Sequence, residues 1–179
     1  MKKVVFVSIL ILVSSLIVSC STMYKGTAAA YWSSPYSIRE DKSTDINGEY
    51  KYVYFLLYKN NALASGEDGI ETIELAKMYK NNEFISHTIR VGFIGNKWRF
   101  MDNLQIKIDN NDVLTLEPLN KPTRDVISGS EVQEINWYYL SKDIVNSLKS
   151  CNALIIQNYD NPRSITSDGI AAMKEFLSE

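Results

Sequence analysis

Between Ile85 and Phe93 the side chains change character at every step. Ile85, His87, Ile89, Val91 and Phe93 alternate with Ser86, Thr88, Arg90 and Gly92. A period of two belongs to a strand with one face on a core and one face turned away, because successive Cβ atoms point to opposite sides. A sheet built from such strands must pack on something. The pattern continues through Trp98–Phe100, Leu104–Ile108 and Leu114–Leu116, with turn residues between the runs. Gly95-Asn96 suits a two-residue hairpin turn, which would set Phe93 opposite Trp98 and Val91 opposite Phe100. A three-residue loop, Met101 to Asn103 with Asn103 left-handed, would set Phe100 opposite Leu104 and Trp98 opposite Ile106. A three- or five-residue loop around Asp109-Asn110-Asn111-Asp112 would set Ile108 opposite Leu114 and Ile106 opposite Leu116. Loops of other parity would flip every side chain to the wrong face. The expectation is a four-stranded antiparallel meander with a single apolar face.

The rest of the chain adds strands and two late helices. Ser33 to Asn47 is polar and charged and reads as a loop, closed by the turn signal Asn47-Gly48. Tyr50 to Tyr58 reads as a strand with Tyr50, Tyr52, Tyr54, Leu56 and Tyr58 on one face and Val53, Phe55 and Leu57 on the other. Both faces are apolar, so it belongs inside a sheet. Asn60 to Gly69 is loop-like. Ile70 to Lys80 fits both periods in part, and its Ala, Glu, Lys, Leu and Met content leans helical. Glu117 to Ser130 is a long connection with Val126-Ile127 as a short strand. Val132 to Tyr139 is a strand with Gln133, Ile135, Trp137 and Tyr139 on one face. Ser141 is an N-cap for a helix that buries Ile144, Val145 and Leu148. Ala153 to Gln157 is an apolar strand ended by Asp160-Asn161-Pro162. Thr166 or Ser167 caps a last helix with Ile170, Met173, Phe176 and Leu177 on one side. The fold class is therefore mainly β (α+β). It is a meander or sandwich-like antiparallel sheet of six to eight strands, with two short C-terminal helices over one end or face.

The amino terminus is of another kind. Lys2 and Lys3 precede an uncharged apolar run from Val4 to Val18, too short to span a bilayer as a helix of ~20 residues. This is the layout of a signal peptide. The run ends in Leu16-Ile17-Val18-Ser19-Cys20, and here the chain resembles the bacterial lipoprotein class, whose lipobox places a small residue before an invariant cysteine. The resemblance implies cleavage after residue 19, a diacylglyceryl thioether on Cys20 and acylation, commonly palmitate, of the new amine. Two or more acyl chains hold firmly where one holds only reversibly. On this reading 1–19 is a signal peptide, 20–27 a lipidated tether of about 25 Å at most, and 28–179 a single β-rich domain held near the cell-envelope membrane. Ser21 stands where some diderm bacteria use aspartate for inner-membrane retention. The outer membrane is therefore favoured, with the domain periplasmic or surface-facing. The domain itself resembles small uncharacterised envelope lipoproteins.

Loss of the leader removes two lysines, leaving 17 basic against 21 acidic side chains and a net charge of −4. That balance excludes a nucleic-acid partner. Once Cys20 carries lipid, Cys151 has no partner for a disulfide and reads as a buried small hydrophobe.

The search for chemistry returns little. His87 is the single histidine and reads as structural, since no Gly-x-Ser-x-Gly context accompanies it. One His and one buried Cys assemble no zinc site. Asp109 to Asp112 and Glu67-Asp68-Gly69 are turn formers rather than calcium loops. Glu131 and Glu134 lie on opposite faces of their strand. No phosphate loop or dinucleotide fingerprint implies a cofactor. The tyrosine stripe has two readings: a core strand whose hydroxyls reach the rim, or ligand-contact aromatics Tyr50, Tyr52 and Tyr54, joined by Trp137 or Trp32. The functional expectation is a lipid-anchored, non-catalytic binding or scaffolding domain, whose partners are the membrane, through Cys20, and an envelope protein. The alternatives are a hydrolase whose carboxylates converge only in the fold, and a carbohydrate-binding module using Tyr and Trp side chains.

Overall fold

The computed structural model describes residues 36–60, 69–159 and 161–179. The expected leader, the lipidated tether with Cys20, and Trp32 lie outside them. So do residues 61–68, and with them Glu67 and Asp68.

Among the described residues ten strands and two helices follow in order. They are β1 (Ile38–Asp45), β2 (Gly48–Lys59), β3 (Gly69–Lys80), β4 (Glu83–Gly95), β5 (Leu104–Ile108), β6 (Leu114–Leu116), β7 (Thr123–Ser128), β8 (Glu131–Leu140), α1 (Lys142–Ser150), β9 (Leu154–Asn158), β10 (Asn161–Ser164) and α2 (Ser167–Ser178). One antiparallel sheet has the order β1-β2-β3-β4-β8-β7, and a smaller one the order β10-β9-β5-β6. The mainly β class with two short late helices is the observed one. Both helix caps are as the sequence indicates. The Ser141 hydroxyl accepts from the Ile144 N–H at 3.3 Å, and the Thr166 hydroxyl from the Gly169 N–H at 3.2 Å.

The core lies between the two sheets and the helices. Phe55, Ile73, Leu75, Ile89, Val91 and Phe93 supply the large sheet's share. Leu104, Ile106, Ile108, Leu154 and Ile156 supply the small sheet's share, and Leu148, Ile170, Met173, Phe176 and Leu177 the helices'. Phe55 and Phe176 stack at 5.2 Å between ring centroids. The Lys77 ammonium, buried and therefore held below its ordinary pKa, donates to the Phe176 carbonyl near the end of α2, where the helix dipole favours a cation.

Four sequence expectations are corrected. The charged segment 38–45, expected as a loop, is the edge strand β1. Its polar side chains suit an edge, which must discourage further pairing. It turns into β2 through Ile46-Asn47, where Asp45 accepts from the Asn47 N–H at 2.7 Å. Residues 70–80, which lean helical by composition, are β3. Their interior Glu71, Glu74 and Lys77 are all buried, and their partners come from other elements. The turn from β3 to β4 is Asn81-Asn82, both with positive φ, at 50° and 66°. That is the backbone a two-residue hairpin requires, and asparagine tolerates it. Asn81 also accepts from the Glu49 N–H at 3.0 Å, tying the two hairpin ends together.

The third correction concerns the meander. β4 pairs with β3 and β8, so the Gly95-Asn96 hairpin and the pairings of Phe93 and Val91 with Trp98 and Phe100 do not form. Residues 99–101 are pinned elsewhere. The backbone N–H groups of Arg99, Phe100 and Met101 all donate to the buried carboxylate of Glu134. Phe100, not Asn103, is left-handed, with φ 52°. Successive N–H groups around such a residue form an anion-binding concavity, and here the anion is the protein's own. The β5–β6 pairing has the expected parity but a longer loop: Ile106 faces Leu114 and Leu104 faces Leu116. The fourth correction is the segment after β9. That strand ends at Asn158, but Asn161-Pro162, expected only as its terminator, opens β10, which pairs back onto it; Asp160 lies outside the described residues.

A bulge at the start of β4 moves one more residue. Tyr79 pairs with Phe84 and Met78 with Ser86, which leaves Ile85 unpaired. Ile85 therefore leaves the alternation it shares in sequence with Ile89 and Val91. It is 44% exposed.

Candidate functional site

The face of the large sheet turned away from the small sheet and helices carries the site. The register sets Tyr54, Ala76, Thr88 and Tyr139 in one row across β2, β3, β4 and β8. Leu56, Glu74, Arg90 and Trp137 form the row beside it. Tyr52 lies opposite Met78, and Met78 opposite Ser86. In the first of these rows the middle strands thus supply small side chains, Ala76 and Thr88, where the flanking strands supply tyrosines. β2 and β8 are three strand steps of ~4.8 Å apart, yet their aromatic rings lean over Ala76 and Thr88 until they meet. Ring centroids lie 6.3 Å apart for Tyr52 and Trp137, and 5.8 Å for Tyr54 and Trp137.

An open groove of about 570 Å³ runs along these rings. Tyr52 and Met78 form one side, and Trp137 and Tyr139 the other. The far wall is Leu119 and Asn120, held there because the Leu119 N–H donates to the Trp137 carbonyl at 2.7 Å and Pro118 bridges to Tyr138. Ile85, Ser86 and Thr88 complete the lining. The β4 bulge is what delivers Ile85 to the groove, a common use of a bulge beside a binding site. Among the described residues the lining holds no charged side chain. Ser86, Thr88 and Asn120 make no side-chain hydrogen bond to other described residues, so their donors and acceptors remain available.

Beside the groove, on the same sheet face, lies a charged cluster. Arg90 and Arg39 flank the fully buried Glu74, Arg39 at 3.8 Å, and Arg39 also meets Asp41 at 2.8 Å. The Arg39 guanidinium lies 4.3 Å from the Tyr54 ring centroid, and that of Arg90 5.8 Å from Trp137. These cation–π contacts fix the rings in place. Burial pushes the Tyr54 phenol up to about 12, with Arg39 and Arg90 opposing. Burial also raises Tyr52, helped by Tyr50 and Asp45. Both phenols stay protonated and can donate at neutral pH.

Of the aromatics named from sequence, Tyr52, Tyr54 and Trp137 come together. Tyr50 shares their face but sits at the hairpin end, opposite Lys80, whose ammonium lies 5.5 Å from its ring. Tyr54 is nearly buried and forms the base of the cluster rather than its rim. Tyr139, Leu119, Asn120 and Ile85 could not have been joined to the site from sequence alone. Tyr139 was closest, two residues from Trp137 on the same strand face.

The other chemistry-bearing residues have structural positions. His87 packs against Phe84 at 4.7 Å between ring centroids, and burial, with Lys77 and Lys149, pushes it down to about 4. Cys151 is a buried free thiol whose pKa burial raises. Asp109 accepts from the N–H groups of Asn152 and Ala153 at 2.7 and 2.8 Å, so its carboxylate shapes the turn after α1. Glu71 is held by Arg163 at 2.8 Å and Arg99 at 3.5 Å, and Glu134 by Arg124 at 3.2 Å besides the three N–H groups. Glu131 is exposed, on the opposite face from buried Glu134. Among the described residues no group of three or more His, Cys, Asp or Glu side chains is placed to hold a metal ion. Nor is any described helix long and apolar enough to cross a membrane.

Fold and site together define a β-rich domain with an uncharged aromatic groove on one sheet face. Comparison with protein-family models, curated proteins and solved structures returns no match.

Proposed function

We propose that this protein is a lipid-anchored binding domain of the bacterial cell envelope, non-catalytic, with its ligand seated between Tyr52, Trp137 and Tyr139. The observation that carries the binding reading is the groove itself. Its volume lies within the ~300–1,000 Å³ of ligand sites. Its walls are aromatic, and it keeps three uncharged polar side chains unspent. The carboxylates that the fold brings inward, Glu71, Glu74 and Glu134, are each met by arginine and none lines the groove, so the hydrolase alternative gains no support. The anchoring part rests on Leu16 to Cys20 and the apolar run before them. It makes the membrane, through lipid on Cys20, one partner, with the outer membrane favoured.

Two measurements test the two parts. Cys20→Ala should move the protein from the membrane pellet to the soluble fraction or leave the precursor uncleaved; wild-type partition with unchanged mature mass would defeat the anchor. For the groove, full-length protein in detergent is titrated with a protein-free envelope extract while tryptophan emission is followed. A saturable change in wild type that is absent in Trp137→Phe supports the site. An identical response in both proteins removes it.

A further inference from the structure

The lining of the groove states what kind of ligand it takes, and we infer that the ligand is a single chain of an uncharged glycan, one of whose sugar rings packs on Trp137. This inference rests on the groove being the binding site.

Charge comes first. With no Asp, Glu, Lys or Arg in the lining, a ligand charge seated there would lose water and gain no counter-ion, a cost that shifts affinity toward neutral ligands. The neighbouring arginines, Arg39 and Arg90, lie outside the lining and do not change this, because Asp41 and Glu74 already engage them.

Polarity comes second. The Ser86 and Thr88 hydroxyls and the Asn120 amide both donate and accept. They are spaced along a floor otherwise made of rings and aliphatic carbon. A sugar ring has the matching character: hydroxyls at its edge and a C–H face that packs on an aromatic ring. An acyl chain would cover these three groups and leave them without partners. A peptide added as a strand needs a free sheet edge, whereas β3, β4 and β8 are each paired on both sides.

Shape comes third. Trp137 is inclined by 52° to Tyr52 and by 54° to Tyr54. Tyr52 and Trp137 are in contact at this angle, so they form the angled wall of a trough along which a narrow chain lies, not a slot between them. A flat array, suited to the surface of a crystalline polysaccharide, would need them coplanar. Tyr139, 52% exposed, extends the trough toward solvent and provides a second ring contact along the chain.

The test is a fluorescence titration of the full-length protein in neutral detergent with probes of four kinds. These are neutral pentasaccharides (β-1,4-linked glucose, α-1,4-linked glucose and β-1,4-linked N-acetylglucosamine), an oligogalacturonate as the acidic counterpart, a proline-rich decapeptide, and N-phenyl-1-naphthylamine as an uncharged apolar probe. The expected result is saturable binding of at least one neutral pentasaccharide, with the oligogalacturonate about tenfold weaker or more. Trp137→Ala should weaken the bound sugar at least about tenfold, and Asn120→Ala by about threefold. Tyr139→Ala, a rim change that leaves the fold intact, should also weaken it. Circular dichroism of each variant guards against unfolding. Binding of the naphthylamine or the peptide alone, with sensitivity to Trp137→Ala, overturns the glycan and leaves the groove as a site. Equal binding of acidic and neutral sugars overturns the charge argument. No response from any probe overturns the ligand class and, with a null envelope titration, the binding reading too.

Discussion

β8 presents Glu134 and Asn136 to one side of the large sheet and Trp137 and Tyr139 to the other. On the core side most polarity is consumed, although Asn136 and Glu71 each keep one buried oxygen without a hydrogen bond among the described residues. Glu134 accepts from three consecutive backbone N–H groups and from Arg124. Asn136 donates to the Met101 carbonyl and to the Tyr138 hydroxyl. On the groove side Glu74 is likewise matched, by its arginines. Ser86, Asn120 and the buried Thr88 are not. One face has therefore used its hydrogen bonds to fold, and the other keeps some in reserve beside a set of aromatic rings. The contrast separates residues that hold the molecule together from those with capacity left for a partner.

Substitutions on the two faces should therefore differ in kind. The largest loss is expected from Glu134→Ala, which removes the buried acceptor of three backbone N–H groups and of the partly exposed Arg124; breaking such a set costs about 3–5 kcal/mol. A shift in the urea midpoint worth less than about 1 kcal/mol would mean that water replaces the carboxylate. Met173→Ala opens a cavity under α2 and should cost about 2–5 kcal/mol with little effect on any groove ligand. Comparable damage to both would dissolve the distinction between the faces.

A pH effect comes next. The His87 imidazole is held at about 4 against an ordinary 6.5. Between those values the unfolded chain takes up a proton that the folded chain refuses. Stability is thus complete above about 6.5 and falls as the pH drops toward 4. For this partly exposed ring the loss by pH 5 is about 1 kcal/mol after solvent screening. His87→Gln should flatten that slope; parallel acid curves for the two proteins would assign it to other groups. The smallest change belongs to Tyr139→Ala, which should alter stability by no more than about 0.5 kcal/mol while weakening the groove's ligand. A melting temperature well below wild type would make Tyr139 a structural residue.

The strands and helices that obey one period were legible. β2, β8 and the two capped helices carry their own signals in neighbouring residues. β3 was not, because Glu71, Glu74 and Lys77 look solvent-facing until Arg163, Arg90 and the end of α2 arrive from far along the chain. The Gly95-Asn96 hairpin is locally sound and loses to a distant competitor: β8 takes the edge of β4, and Glu134 takes the backbone that would have paired. The bulge at Ile85 has no local mark, so the groove's composition was hidden even though two of its aromatic residues, Tyr52 and Trp137, were visible. Rows of residues across a sheet depend on register, and register here is set by turns and bulges that single-strand patterns do not encode.

The buried thiol has a practical use. Cys151 sits under α1 with its Sγ directed at the Leu148 carbonyl, 3.3 Å away, and burial keeps it in the unreactive protonated form. A thiol reagent can reach it only when the core opens. In a Cys20→Ala variant, labelling would have a single target, since the sequence holds two cysteines. Its rate, compared with that of the unfolded chain, would measure the free energy of opening in the native state without denaturant. The protein thus carries its own clock for how often its interior meets water.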